Sequence, residues 1–264
     1  MNNIKTLKII YNLPLRPDEI PHFKKEILHL QDPTEDIWHN HLEEIDDLKN
    51  NTQQKIIKTG MGKANYLRYP LIQFRSELIG RHFYASIWAV AKGVNVLNSF
   101  VKKNPEPKIR WGHSKIKLKL FEEFQIEKTK VKMLPGLNFL PYTLTHFLPF
   151  NEEGAYKQFK AEQFFEDKLR LIENKIKDSL THFAESVEWD SEHGKPFRAK
   201  VMDFKGFRTA KYRPKQNNEI LTYVSADLIA GINAYLPPEI SIGSLKALGF
   251  GVLRPLRSVD HDDG

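Results

Sequence analysis

Apolar and polar positions alternate from Thr6 to Leu13, in the run T-L-K-I-I-Y-N-L, and predict a strand. A helix follows. Arg16-Pro17-Asp18-Glu19 puts proline in its first turn and acids at the positive end of its dipole, while Ile20, Phe23, Ile27 and Leu30 line one face. Tyr69–Glu77 and Phe83–Val90 are β-rich runs separated by Leu78–His82, whose Gly80 marks a hairpin. A short helix over Ala91–Lys102 comes next. After Asn104-Pro105-Glu106-Pro107 the pattern predicts one long strand through Met133, which completes the order β-α-β-β-α-β.

A second set of elements begins after Leu134-Pro135-Gly136. Thr143–Phe150 reads as a strand. From about Glu152 to Glu188 the chain reads as one long helix, with Phe165, Leu169, Ile172, Ile176, Leu180, Phe183 and Val187 spaced by three or four. Strands are expected at Phe197–Phe204, Phe207–Tyr212, Leu221–Ser225 and Gly249–Leu253, with a helix over Ala226–Tyr235. The two halves share an element order without a close sequence repeat. The order predicts an α+β protein of two tandem ferredoxin-like (RRM-like) domains, 1–134 and 135–264, the first carrying an insertion near 42–65.

Composition narrows the class. The chain has 264 residues, 41% hydrophobic and 28% charged, with no apolar run long enough to span a bilayer. It contains no cysteine, which excludes disulfides, thiolate nucleophiles and Cys-ligated zinc. The N-terminus has neither the apolar core nor the cleavage site of a signal peptide, so a cytoplasmic location and no membrane partner are expected.

Charge adds a partner class. Forty Lys and Arg face thirty-three Asp and Glu, for a formal charge of +7. Arg198, Lys200, Lys205, Arg208, Lys211, Arg213 and Lys215 crowd one stretch with Asp203 as its only acid and Phe204, Phe207 and Tyr212 interleaved. Cations mixed with aromatics suit a nucleic-acid surface. Lys115, Lys117 and Lys119 alternate with aliphatics, the pattern of a solvated strand face.

Near the C-terminus the segment L-P-P-E-I-S-I-G-S-L-K-A-L-G-F-G-V-L gathers Gly243, Gly249 and Gly251. Glycines permit positive φ and close approach of backbone to a ligand, and amides freed at such a loop make an anion-binding concavity. A glycine-rich turn before a terminal strand is the competing reading. His39 and His41 lie two apart. In an extended segment their rings would project to one side, where they could flank a phosphate and serve as base and acid near neutral pH. A metal pair and plain surface histidines remain open. The other histidines lack ligand spacing, so no metal and no cofactor is expected.

Three segments carry a resemblance. Gly231–Gly251, G-I-N-A-Y-L-P-P-E-I-S-I-G-S-L-K-A-L-G-F-G, resembles the C-terminal signature of the CRISPR-associated repeat-cleaving endoribonucleases of the RAMP superfamily. Trp38-His39-Asn40-His41 resembles the histidine motif of one branch, and Leu67-Arg68-Tyr69-Pro70-Leu71-Ile72-Gln73-Phe74 resembles the strand that follows it. Two departures stand out. Leu42–Asn65 intervenes where family members have a short loop, and Ser244 and Leu248 occupy positions often basic in the family, leaving Lys246 as the loop's cation.

The resemblance implies a metal-independent endoribonuclease that matures guide RNAs from CRISPR precursor RNA, leaving a 2′,3′-cyclic phosphate and a 5′-hydroxyl. It implies His39 and His41 for the proton transfers, and a tyrosine for transition-state stabilisation, Tyr66 with Tyr69 as substitute. RNA contacts are expected from Gly243, Ser244, Lys246, Gly249, Gly251, Lys205, Arg208, Lys211 and Arg213. The implied partner is CRISPR repeat RNA, with effector-complex subunits and a homodimer left open. The alternative is a non-catalytic RNA-binding module of a CRISPR ribonucleoprotein complex.

Overall fold

A computed structural model describes residues 2–31, 36–38, 57–58, 64–65, 69–149, 153–189, 195–212 and 221–256. The chain forms two compact units, Lys5–Lys128 with Glu185–Glu188, and Met1–Ile4 with Thr129–Ala184 and Trp189–Gly264. We refer to them as the N-terminal and C-terminal units. No described helix is long and apolar enough to cross a membrane.

The N-terminal unit contains β1 (Asn2–Pro14), α1 (Ile20–Leu28), the short strands β2 (Ile57–Lys58) and β3 (Ala64–Asn65), β4 (Ile72–Ile79), β5 (His82–Val90), α2 (Lys92–Lys103), β6 (Lys108–Trp111) and β7 (Ser114–Lys117), and runs into β8 (Ile126–Met133). The sheet order β8-β1-β5-β4 places the four main strands as fourth, first, third and second, the ferredoxin-like arrangement. Period-two patterning sets the register: Ile9 opposes Ile87, which opposes Phe74, and all three are buried. Phe23 of α1 packs edge-on against Phe74 at 5.9 Å, beside buried Leu97 and Phe100 of α2.

One expectation fails here. The predicted continuous strand up to Met133 is instead a β6–β7 hairpin followed by the separate β8. Gly112, at φ 61, is the first residue of a two-residue turn, where a side chain would be strained.

The C-terminal unit contains β9 (Leu140–Phe147), α3 (Glu153–Ala161), α4 (Phe165–Ser186), β10 (Ala199–Tyr212), β11 (Leu221–Ile232), β12 (Ala234–Tyr235), a 3₁₀ turn at Lys246–Leu248 and β13 (Val252–Pro255). Its sheet order β10-β11-β9-β13 repeats the ferredoxin-like arrangement. Ile172, Ile176, Leu180 and Phe183 of α4 are fully buried, as are Leu144, Leu228 and Ala230 of the sheet.

Three boundaries differ from the sequence reading. The long helix is broken between Ala161 and Phe165. The two strands expected over 197–212 are one strand, β10, with register shifts between Val201 and Asp203 and between Phe204 and Gly206. The helix expected at Ala226–Tyr235 is the second half of β11 with β12, and a single 3₁₀ turn stands where the second ferredoxin helix would be.

Candidate nucleic-acid interface

The glycine-rich segment folds back on itself. The Ile242 N–H donates to Gly251 O at 2.8 Å, the Leu253 N–H donates to Ile240 O at 2.8 Å, and Ser241 bridges Val252. Closing so tight a loop requires left-handed backbone at Gly243 (φ 83), Leu245 (φ 53), Gly249 (φ 74) and Gly251 (φ 66). A Cβ on Gly251 would lie 2.0 Å from Ile242 O, and one on Gly243 would lie 2.6 Å from the Phe147 ring.

The amides of Gly243, Ser244, Gly249 and Gly251 are used within the protein and are not free for a phosphate. Gly243 N–H donates to Ser179 Oγ of α4 at 3.1 Å and Ser244 N–H to Leu148 O at 2.9 Å. Gly249 N–H donates to Lys246 O and Gly251 N–H to His146 O, each at 3.1 Å. Packing against Phe147 and Ile242 accounts for the absence of a side chain at Gly243 and Gly251. Lys246 is the loop's cation, and burial lowers its pKa to about 8, so its full positive charge is present only below that value.

The structure ties this loop to the basic strand through residues the sequence did not single out. Between Ala226↔Phe147 and Leu228↔Leu144 the β11–β9 register shifts, so Asp227 faces both Thr145 and His146. The buried Asp227 carboxylate accepts the His146 N–H at 2.8 Å and pairs with Arg208 Nε at 2.8 Å. His146 is exposed, adopts φ 51 and presents its carbonyl to Gly251. Asp227 thus fixes the bulge and orients an exposed arginine. Its only signal in the sequence was a lone acid in the apolar run V-S-A-D-L-I-A.

These partners separate by mutation. Asp227→Ala leaves a partly buried N–H unsatisfied and should lower stability by about 1–3 kcal/mol. Arg208→Ala removes the exposed half of an ion pair and should cost under about 1 kcal/mol. Urea unfolding of both variants checks the ordering, and equal losses would mean that Asp227 acts only as a counter-ion.

The other predicted cations divide by position. Lys205 is exposed at a β10 bulge, and Lys211 lies in β10 opposite Thr222. Arg213 lies outside the described residues. Two of the interleaved aromatics meet helices, Phe204 against Phe165 of α4 at 5.5 Å and Phe207 against Phe159 of α3 at 5.5 Å, although Phe207 stays exposed. Register puts Phe207 and Arg208 on opposite faces of β10, so adjacency in sequence does not make them one surface.

In the N-terminal unit, His39, His41 and Tyr66 lie outside the described residues. Trp38, immediately before the histidine motif, is fully buried against Phe74 and Phe100, with ring centroids at 6.2 and 5.5 Å. Tyr69 is buried too. Its hydroxyl accepts a hydrogen bond from Gln73 Nε2 at 2.9 Å, Gln73 Oε1 accepts one from Arg75 Nη2 at 2.5 Å, and the Arg75 guanidinium lies 4.6 Å from the Trp88 ring centre. Gln73 and Arg75 hold Tyr69 in a buried polar network. No group of three or more metal-ligating side chains occurs among the described residues.

No family model and no curated protein matches the chain. Solved structures do match. One described as Cas6b aligns with a TM-score of 0.67 at 17% identity, covering 97% of this chain and 100% of that one. A CRISPR RNA processing endoribonuclease Cas6b aligns at 0.59 with 13% identity, and Csf5, a CRISPR-Cas type IV Cas6 crRNA endonuclease, at 0.53 with 13%, both with the same coverage. Agreement over the whole length at such low identity concerns backbone architecture, and it agrees with the strand order of both units: this chain has the tandem ferredoxin-like fold of the Cas6 structures.

Proposed function

We propose that this chain cuts CRISPR precursor RNA within each repeat, without a metal ion. The reading is carried by the Trp38-His39-Asn40-His41 motif occurring in a chain whose tandem fold matches, end to end, structures described as CRISPR RNA processing endoribonucleases. One of His39 and His41 takes the proton of a ribose 2′-hydroxyl as its oxygen attacks the adjacent phosphorus. The other gives a proton to the 5′-oxygen as the P–O5′ bond breaks, leaving a 2′,3′-cyclic phosphate and a 5′-hydroxyl. Tyr66 donates a hydrogen bond to the phosphorane. The burial of Tyr69 and its bond from Gln73 favour Tyr66 over it. Burial of Trp38 supports the assignment as well, since it anchors the chain directly before the first histidine.

Lys205, Arg208, Lys211, Arg213 and Lys246 supply positive charge for the repeat RNA, with the Gly243–Gly251 loop as scaffold. A 2′-deoxy sugar at the cleavage site removes the nucleophile, so such a repeat should bind normally and stay uncut, and excess chelator should leave the rate of the ribose substrate unchanged. Cleavage of the deoxy substrate would sink the mechanism. Binding without cleavage of ribose substrate would instead indicate a non-catalytic RNA-binding module of a CRISPR ribonucleoprotein complex.

A further inference from the structure

The β6–β7 hairpin breaks a rule of strand pairing. Lys108 faces Lys117 and Arg110 faces Lys115 directly across the ladder, so two like-charge pairs lie on one face. Ile109 and Ile116 form the pair between them on the other face, where Ile109 is buried and Trp111 stacks on His22 of α1 at 4.7 Å. All four cations are exposed. Only Lys117 among them has an ion pair with a described residue, Glu106 at 3.3 Å, and the Glu26 carboxylate accepts the backbone N–H of Arg110. Directly opposed like charges destabilise a ladder, and three of the four cations have no ion pair with a described residue.

We propose that this cationic face is a second RNA-contact surface, one that holds the phosphodiester backbone of the transcript outside the cleaved repeat and reads no sequence. The identity of the ligand rests on the RNA-processing reading above. An anionic strand would relieve both like-charge pairs at once. Along each strand the cations recur every second residue, about 6.8 Å apart, an interval suited to successive phosphates of an extended chain. The face carries no apolar side chain to enter a bilayer, which argues against a membrane ligand. Lys119, exposed just beyond β7, extends the charge along the same stretch of chain.

The test compares wild type with the quadruple variant K108Q/R110Q/K115Q/K117Q on two RNAs, the repeat alone and the repeat with an added unrelated spacer. Affinity of wild type for the longer RNA should exceed that for the repeat. The variant should lose that gain, about tenfold at low salt, with the slope of log K against log salt reduced by up to about 2.8 at roughly 0.7 per lost phosphate contact. Its affinity for and cleavage of the repeat alone should be unchanged, and its melting temperature equal or higher. An unchanged slope on the longer RNA would overturn the inference. So would equal loss on both RNAs, which would put the hairpin inside the repeat site, and so would wild-type binding of polyglutamate as tight as that of RNA of equal charge, which would point to an acidic protein partner. Failure of wild type to cleave the repeat would overturn the nuclease reading instead, while the slopes would still decide the hairpin.

Discussion

Replacing His39 and His41 together with Ala should abolish cleavage of repeat RNA and leave its binding intact. A positioned general acid or base contributes about 10²–10⁴-fold, and groups that act as a unit do not add, so the double variant should be slower by at least about 10³-fold and scarcely worse than the weaker single variant. Single-turnover rates on saturating RNA, with affinity measured separately, check this. With two proton transfers in one step, the wild-type rate should also be bell-shaped in pH, and each single variant should lose one limb. Retention of wild-type cleavage in the double variant would remove both histidines from the chemistry. Thermal melting guards against a trivial loss, because Trp38, the anchor next to them, is untouched.

The fold was legible in the sequence where one face of an element meets water or where a turn residue separates two β-rich runs. α1 was found because Ile20, Phe23 and Ile27 recur at helical spacing among polar neighbours, whereas β4 and β5, buried over Ile72–Arg75 and Ala85–Val90, were found as β-rich runs flanking the turn at Gly80. The misreadings fall where that contrast vanishes. β11 lies between β10 and β9 and buries Ser225 and Asp227 as well as Ala226 and Leu228, so its two faces look alike in sequence and Ala-Asp-Leu-Ile-Ala passes for a helix. The break after Ala161 has neither proline nor glycine to announce it.

The candidate site was legible as chemistry and not as geometry. Cation-rich stretches show in composition, but which cations share a face depends on the bulges in β10 and on the turn at Gly112. The Arg208–Asp227–His146 chain had no motif at all, since its partners come from three strands far apart in sequence. The three glycines were recognisable as left-handed positions. What each of them approaches was not.

Gly251→Ala should therefore act on folding before it acts on RNA. Its Cβ would sit 2.0 Å from Ile242 O, and the hydrogen bond from Ile242 N–H to Gly251 O holds those two backbones together, so the clash cannot relax without breaking the loop. Left-handed backbone at φ 66 costs about 1–2 kcal/mol for a residue with a Cβ, and overpacking adds about 1–3 kcal/mol. A total near 3 kcal/mol should lower the melting temperature by about 6–12 °C for a chain of this size. Gly249 caps the 3₁₀ turn at φ 74, and Gly249→Ala should lose at least the backbone part, about 1–2 kcal/mol. The order of the two melting temperatures decides what the loop is. If Gly251→Ala melts well below Gly249→Ala, the glycines serve the packing of the terminal strand, and weaker RNA binding in either variant is a consequence of that. If Gly251→Ala melts like wild type yet binds repeat RNA at least about tenfold more weakly, the Cβ is meeting the ligand, and the loop itself touches RNA.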